Sequence, residues 1–320
     1  MGPLARFLLL PAARHGRALL ILGLVAGIML PGLAAAMKPY LQELVALLLF
    51  LAALRIGPRQ AAGSAAALGP TLRVVLIYQL VLPLIAVGVL SAFGIAQTAV
   101  AMAVILVLSA SPIAGSPNLA ILSGADPVPA FRLLIIGTAL LPLTVVPVFW
   151  LMPGFGHGTE VIGAAGRLLA VIALAALAAF ALRLTVFRDP RPMAIAALDG
   201  LSAIVMAIVV VGLMAAVGPA LASSPTVLLG WFLCASATNL GLQIVAGLVL
   251  GRLGGGRTLP ATAIVAGNRN IALFLVALPV ELTDRLLMFI GCYQIPMYLT
   301  PILLGGFFRR TSGSGRSSAA

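Results

Sequence analysis

The stretch VAGNRNIALFLVALP, residues 265 to 279, sets Asn268, Arg269 and Asn270 inside an otherwise apolar run. An arginine between two carboxamides offers a fixed positive charge, a fork of donors, and amides that both donate and accept. That set suits the binding of an anion, or the replacement of an inorganic cation by a guanidinium. A second cluster, SASPIAGSPNLAILSG, carries Pro112 and Pro117 with Gly115, Ser116 and Asn118. Other polar side chains stand singly in apolar runs: Gln79, Thr138, Asn239, Gln243 and Gln294. Asp199 is the main acid within such a run, as a partner for Arg269 or as a proton-sensitive group. Neither HExxH nor GxSxG occurs and no two acids share an apolar segment, so no enzyme is expected.

These side chains need a setting, and composition defines it. Hydrophobic residues make up 62% of the 320 and charged residues 8%, with a mean hydropathy of +1.21. A soluble domain uses roughly 25% charged residues, so lipid must cover most of this chain and the bilayer is its main partner. The net charge of +12 is spread singly between apolar runs, without interleaved aromatics, which excludes nucleic acid as a partner. Cys234 and Cys292 lie in apolar runs and do not read as a disulfide scaffold, while His15 and His157 lack ligand spacing. No metal site and no cofactor are expected. The oligomeric state stays open, a monomer included.

Apolar runs long enough to cross a bilayer fall at about 18–37, 39–56, 68–92, 97–124, 128–151, 162–182, 193–217, 225–251, 258–279 and 283–308. The expected fold is therefore an all-α polytopic membrane protein of ten transmembrane helices. Near the N-terminus, basic residues, an apolar run and LAAAM resemble a signal peptide, but the run is longer than a usual signal core and reads as a first span. With the N-terminus inside, ten crossings put fifteen of the 19 basic residues on the cytoplasmic side. Lys38, Arg167 and Arg285 fall outside, and Arg269 within. This is the bias expected of an inner, or plasma, membrane protein with both termini in the cytoplasm. Trp150, Trp231, Tyr40 and Tyr298 include candidate interface anchors. Residues 311–320 are small and polar and read as a disordered tail.

Internal matches organise the expected spans. GSPNLAIL at 115–122 aligns with GNRNIALF at 267–274, PV at 127–128 with PV at 279–280, and RLL at 132–134 with RLL at 285–287. Gly137, Pro142 and Pro147 then meet Gly291, Pro296 and Pro301. The register predicts two five-helix repeats, 1–155 and 156–310, inverted because five is odd. Pro112 and Pro117 with Gly115 should break the fourth span, and Gly267 beside the asparagines should break the ninth. Their free helix ends would then converge at mid-depth on one polar volume.

PIAGSPN, GNRN and YQLVLP resemble segments of the bile acid:sodium symporter family, within the group that also holds arsenite-efflux permeases, and the resemblance covers residues 18–308. It implies a panel of spans 1, 2, 6 and 7, a core of spans 3–5 and 8–10, and crossing discontinuous helices 4 and 9. Asn118, Asn270 and Gln79 match the family's crossing asparagines and span-three glutamine. Where sodium-coupled members carry a glutamate and then a glutamine, this chain has Val265 and Arg269. A fixed guanidinium repels a neighbouring cation. Sodium is thus the coupling ion the family implies, and these two residues speak against it.

The expectation is a secondary transporter of an organic anion, bile-acid-like or another carboxylate. Asn118, Asn268, Arg269, Asn270, Gln79, Ser116, Asn239, Gln294 and Thr138 are its candidate binding residues. The alternatives are proton-coupled or uncoupled transport, and a non-transporting sensor or structural protein. A locked Arg269–Asp199 pair would favour the last.

Overall fold

Apolar sequence in lipid has no water to satisfy its backbone, and this chain answers with helices. The computed structural model describes residues 3–64, 68–156, 158–188, 190–254 and 256–311. His157 and residues 312–320 of the expected tail lie outside the described residues. Among those residues the structure is all α, with short 3₁₀ and π turns and a single isolated antiparallel bridge.

Among the described residues seven helices are long and apolar enough to cross a membrane: Pro31–Gly63, Leu68–Ala92, Pro127–Trp150, Thr159–Thr185, Pro192–Ser223, Pro225–Arg252 and Val280–Arg310. An eighth is reached only if two helices bent by 90°, α1 (Pro3–Arg14) and α2 (Gly16–Met29), count as one span. The protein is a multi-pass membrane protein, but the ten-helix count is corrected. No clear architecture of two inverted five-helix repeats emerges either, despite the matches between the two halves.

The shortfall lies in the expected spans at 18–37, 97–124 and 258–279. The first divides at Leu30, which leaves helical geometry before Pro31 opens α3 (Pro31–Met37). The second divides into α7 (Ala99–Ser109) and α8 (Ser116–Leu122). The third divides into α14 (Leu259–Gly267) and a 3₁₀ segment, Ile271–Val276. A hydropathy window counts apolar residues whether or not their backbone is helical, so it overcounts where the helix stops. The sorting of basic residues by ten crossings loses its basis with that count.

Two sets of helices flank the site. In the first, α1, α2, α3 and α4 (Leu41–Gly63) pack on α11 (Pro192–Leu213), and α10 (Thr159–Thr185) packs on α4. Gly23 makes this packing tight, since a Cβ there would sit 2.7 Å from the Ala207 carbonyl oxygen. In the second, α5 (Leu68–Leu76), α8 and α14 pack on α9 (Pro127–Trp150). There α13 (Pro225–Arg252) lies against both α14 and α15 (Val280–Thr311). Aromatic contacts tie the second set: Phe149 stacks on Phe155 with centroids 4.2 Å apart and lies 5.4 Å from Phe274.

Candidate functional site

The site is built where two helices stop. α7 ends at Ala110, whose backbone turns extended (ψ 152°), and Pro112 has no N–H with which to continue a helix. α14 ends at Gly267, and Asn268 leaves helical geometry (ψ 84°). The two interruptions pair with each other. Ile113 N–H donates to the Asn268 carbonyl at 3.0 Å, and Asn270 N–H to the Ser111 carbonyl at 2.7 Å. Pro112 and Arg269 thereby form the isolated bridge. Each broken helix satisfies backbone groups of the other, which is what makes non-helical chain tolerable away from water.

Arg269 sits in this junction with 2% of its surface exposed. Its Nη1 donates to the Ala110 carbonyl at 3.0 Å and its Nε to the Ala266 carbonyl at 2.9 Å. Both acceptors lie at the C-terminal ends of helices, where free carbonyls and the helix dipole favour a cation. The guanidinium carbon stands 5.0 Å from the centroid of the Tyr78 ring. Tyr78 is itself held by a 3.3 Å bond from its hydroxyl to the Thr262 carbonyl. No carboxylate among the described residues pairs with Arg269. Asp199, expected as its partner, is instead bonded to Arg55 Nε near one end of α4. A half-exposed acid meets a half-exposed base on the neighbouring helix more cheaply than it reaches a buried one.

Behind the junction lies a buried polar network, in which Gln243 Oε1 is left without a partner. Asn239 Nδ2 donates to the Gly267 carbonyl at 2.7 Å, and the Tyr293 hydroxyl donates to the same oxygen. Gln243 Nε2 reaches Asn239 Oδ1 at 2.9 Å and Thr300 Oγ1 at 3.0 Å, and Thr300 Oγ1 donates to Asn268 Oδ1 at 3.2 Å. Asn268 Nδ2 bonds its own helix at Ile264. Gly267 is required here, because a Cβ would collide with the Asn239 carbonyl oxygen. The network is buried and turned on the backbone, so Asn239 and Asn268 hold the broken segment in place.

A cavity of about 310 Å³ opens on the other side of the junction. Its walls are α4, α10 and α11 on one face; on the other are residues 113–114, 269–272, α9 and α15. Arg269 is the only charged side chain among the described residues that line it, and Thr138, Asn270 and Gln294 are polar neighbours. Asn270 is partly exposed there. Thr138 Oγ1 donates to Ser111 Oγ at 3.3 Å, and Gln294 Nε2 to the Ile290 carbonyl at 3.1 Å. The rest of the lining is apolar, as in a pocket for a mostly hydrocarbon ligand with one orienting group.

The remaining sequence candidates fall elsewhere. Asn118 is exposed on α8 and is not part of the cavity wall. Ser116 is buried with its hydroxyl unpartnered, as is the Gln79 amide, which lies against Gly137 close to Pro112. Gly115 caps α8, and Pro117 stands in its first turn, where a missing N–H costs nothing. Tyr298, read as an interface anchor, has a buried hydroxyl with no partner. Sequence reasoning passed over Tyr78, Tyr293, Thr300 and Arg55. Tyr78 adjoins Gln79 in YQLVLP, the one local signal available; the others are brought in by contacts far apart in the chain.

A sodium ion does not fit this junction. The two helix-end carbonyls are taken by the guanidinium, and Val265, 1% exposed, offers no side-chain oxygen. No protein-family model matches the chain, and no curated protein matches it.

Proposed function

We propose that this membrane protein is a secondary transporter of a small organic anion, with Arg269 as the charge that selects it. One observation carries the reading: a buried arginine without a carboxylate borders a largely apolar cavity. The two helix ends offset much of its charge, and a ligand anion entering the cavity would meet the one cationic side chain among the described residues that line it. Among the described residues the lining has one cation and no acid, which favours a substrate with a single anionic group and an apolar body over a dicarboxylate or a zwitterion. The resemblance of PIAGSPN and GNRN to the bile acid:sodium symporter family points the same way, to bile-acid-like or other carboxylates.

In this reading the guanidinium does permanently what a coupling cation would do at the helix ends, and transport proceeds without sodium. The end of the molecule that carries Arg55, Arg59 and Arg183 faces the cytoplasm of the plasma membrane, following the positive-inside rule. The sensor alternative loses the locked Arg269–Asp199 pair that would favour it, since Asp199 is engaged by Arg55.

The test is uptake into proteoliposomes of a panel of monocarboxylates and conjugated sterols, with and without sodium or pH gradients. Wild-type protein takes up at least one anion without sodium, and Arg269→Gln reduces the rate by about tenfold or more. Unchanged uptake in that variant removes the arginine from the mechanism. A strict sodium requirement overturns the coupling proposal. Binding without uptake favours the sensor.

A further inference from the structure

Two cross-links join the walls of the cavity at the end near the start of α4. Near the start of α4, Val45 lines the cavity and is buried. Towards the opposite end, Ile56, Ala176 and Phe180 are partly exposed, and all three line the cavity. Near the start of α4, Lys38 Nζ bonds Asp284 Oδ2 at 2.8 Å, joining the turn before α4 to the first turns of α15. Arg167 on α10 donates from Nε at 2.8 Å and Nη2 at 2.5 Å to the Ala277 carbonyl. That oxygen lies just past the 3₁₀ segment that continues from Arg269.

We propose that Arg167 with Ala277 and Lys38 with Asp284 form a latch that closes the cavity on this face and must open for it to face the other side of the membrane. The inference rests on the transport reading. The chemistry suits a latch rather than a permanent staple. One link is an ion pair between side chains 37% and 42% exposed, which water readily replaces. The other ends on a single carbonyl. Both join the α4–α10 wall to one continuous piece of chain, residues 277–284, so they can release together. At the other end the Arg55–Asp199 pair joins α4 to α11, within one wall, and does not span the cavity.

The experiment uses full-length protein in detergent with Cys234→Ser and Cys292→Ala, and a reporter at Val45→Cys. Val45 lines the cavity near the latch and is 3% exposed. The rate of alkylation by a polar maleimide is measured. Arg167→Gln and Lys38→Glu each raise it roughly three- to tenfold, because each shifts the closed–open equilibrium. The exchanged pair, Lys38→Glu with Asp284→Lys, returns it to the starting rate. Unchanged rates in both single variants overturn the latch. So does an increase that persists in the exchanged pair, since that reports loosened packing. Absence of uptake by the unmodified protein sinks the transport reading, whereas an unresponsive reporter sinks the latch alone.

Discussion

Arg269 Nη1 lies 3.0 Å from the carbonyl oxygen of Ala110, across 159 positions of chain. That bond joins the end of α7 to the residue just past the end of α14. The Nε bond to Ala266 adds the second helix end, so one side chain receives the negative poles of both broken helices. A lipid-exposed arginine at mid-helix costs at least about 3 kcal/mol on the insertion scale. Here two carbonyls and the face of Tyr78 replace its water. The cavity beside it is read as an anion site because Arg269 is the one charged side chain among the described residues that line it.

Gly267→Ala tests the closeness of α14 to α13. The added methyl would press on the Asn239 carbonyl and on Gln243 Cγ, 2.7 Å from the Cβ position. Backbone must move, and overpacking of this kind costs roughly 1–3 kcal/mol. A lowered midpoint of thermal unfolding in detergent is expected, along with weaker substrate uptake as Asn268 and Arg269 shift. An unchanged midpoint would mean that α13 and α14 lie further apart than described.

Asp199→Asn separates proton coupling from the present reading. Asp199 is bonded to Arg55 at 37% exposure, outside the Arg269 junction. Such a pair contributes about 0–1 kcal/mol. Uptake within about twofold of wild type, with the same pH profile, is expected. Loss of a pH-driven component in this variant would make Asp199 the coupling group.

Ala176→Trp fills the cavity from its α10 wall. Ala176 is partly exposed and lines the space beside the junction, so a large side chain can enter it without displacing packed atoms. Uptake is expected to fall by about tenfold or more, while thermal stability stays close to that of the parent. Retained uptake would place the path elsewhere.

Several features of the site were legible before any coordinates. Asn268, Arg269 and Asn270 stood out because polar residues inside an apolar run need a reason. Thr138 and Gln294 were read as candidates and do line the cavity with Arg269 and Asn270. Asn118, a leading binding residue by sequence, is exposed on α8 and is not part of the cavity wall. Spacing along a chain says that a residue is polar and near a break, but not which way its side chain turns once the next helix begins. The span count failed for a related reason. Apolar length was measured correctly at 18–37, 97–124 and 258–279, but whether a helix continues through Leu30, Pro112 or Asn268 depends on where its backbone hydrogen bonds go.

Composition alone determined that this protein lives in lipid, because a chain with 8% charged residues cannot cover itself with water-facing side chains. The positions of Pro112 and Gly267 likewise marked two of the three interrupted spans, but not the break at Leu30. Only the tertiary structure decided that those two interruptions pair with each other, that Arg269 rests on carbonyls rather than on Asp199, and that α4, α10 and α11 complete the cavity. Backbone propensity is local and can be read residue by residue. The partner of a buried charge is set by which helices pack together, and that depends on the whole chain at once.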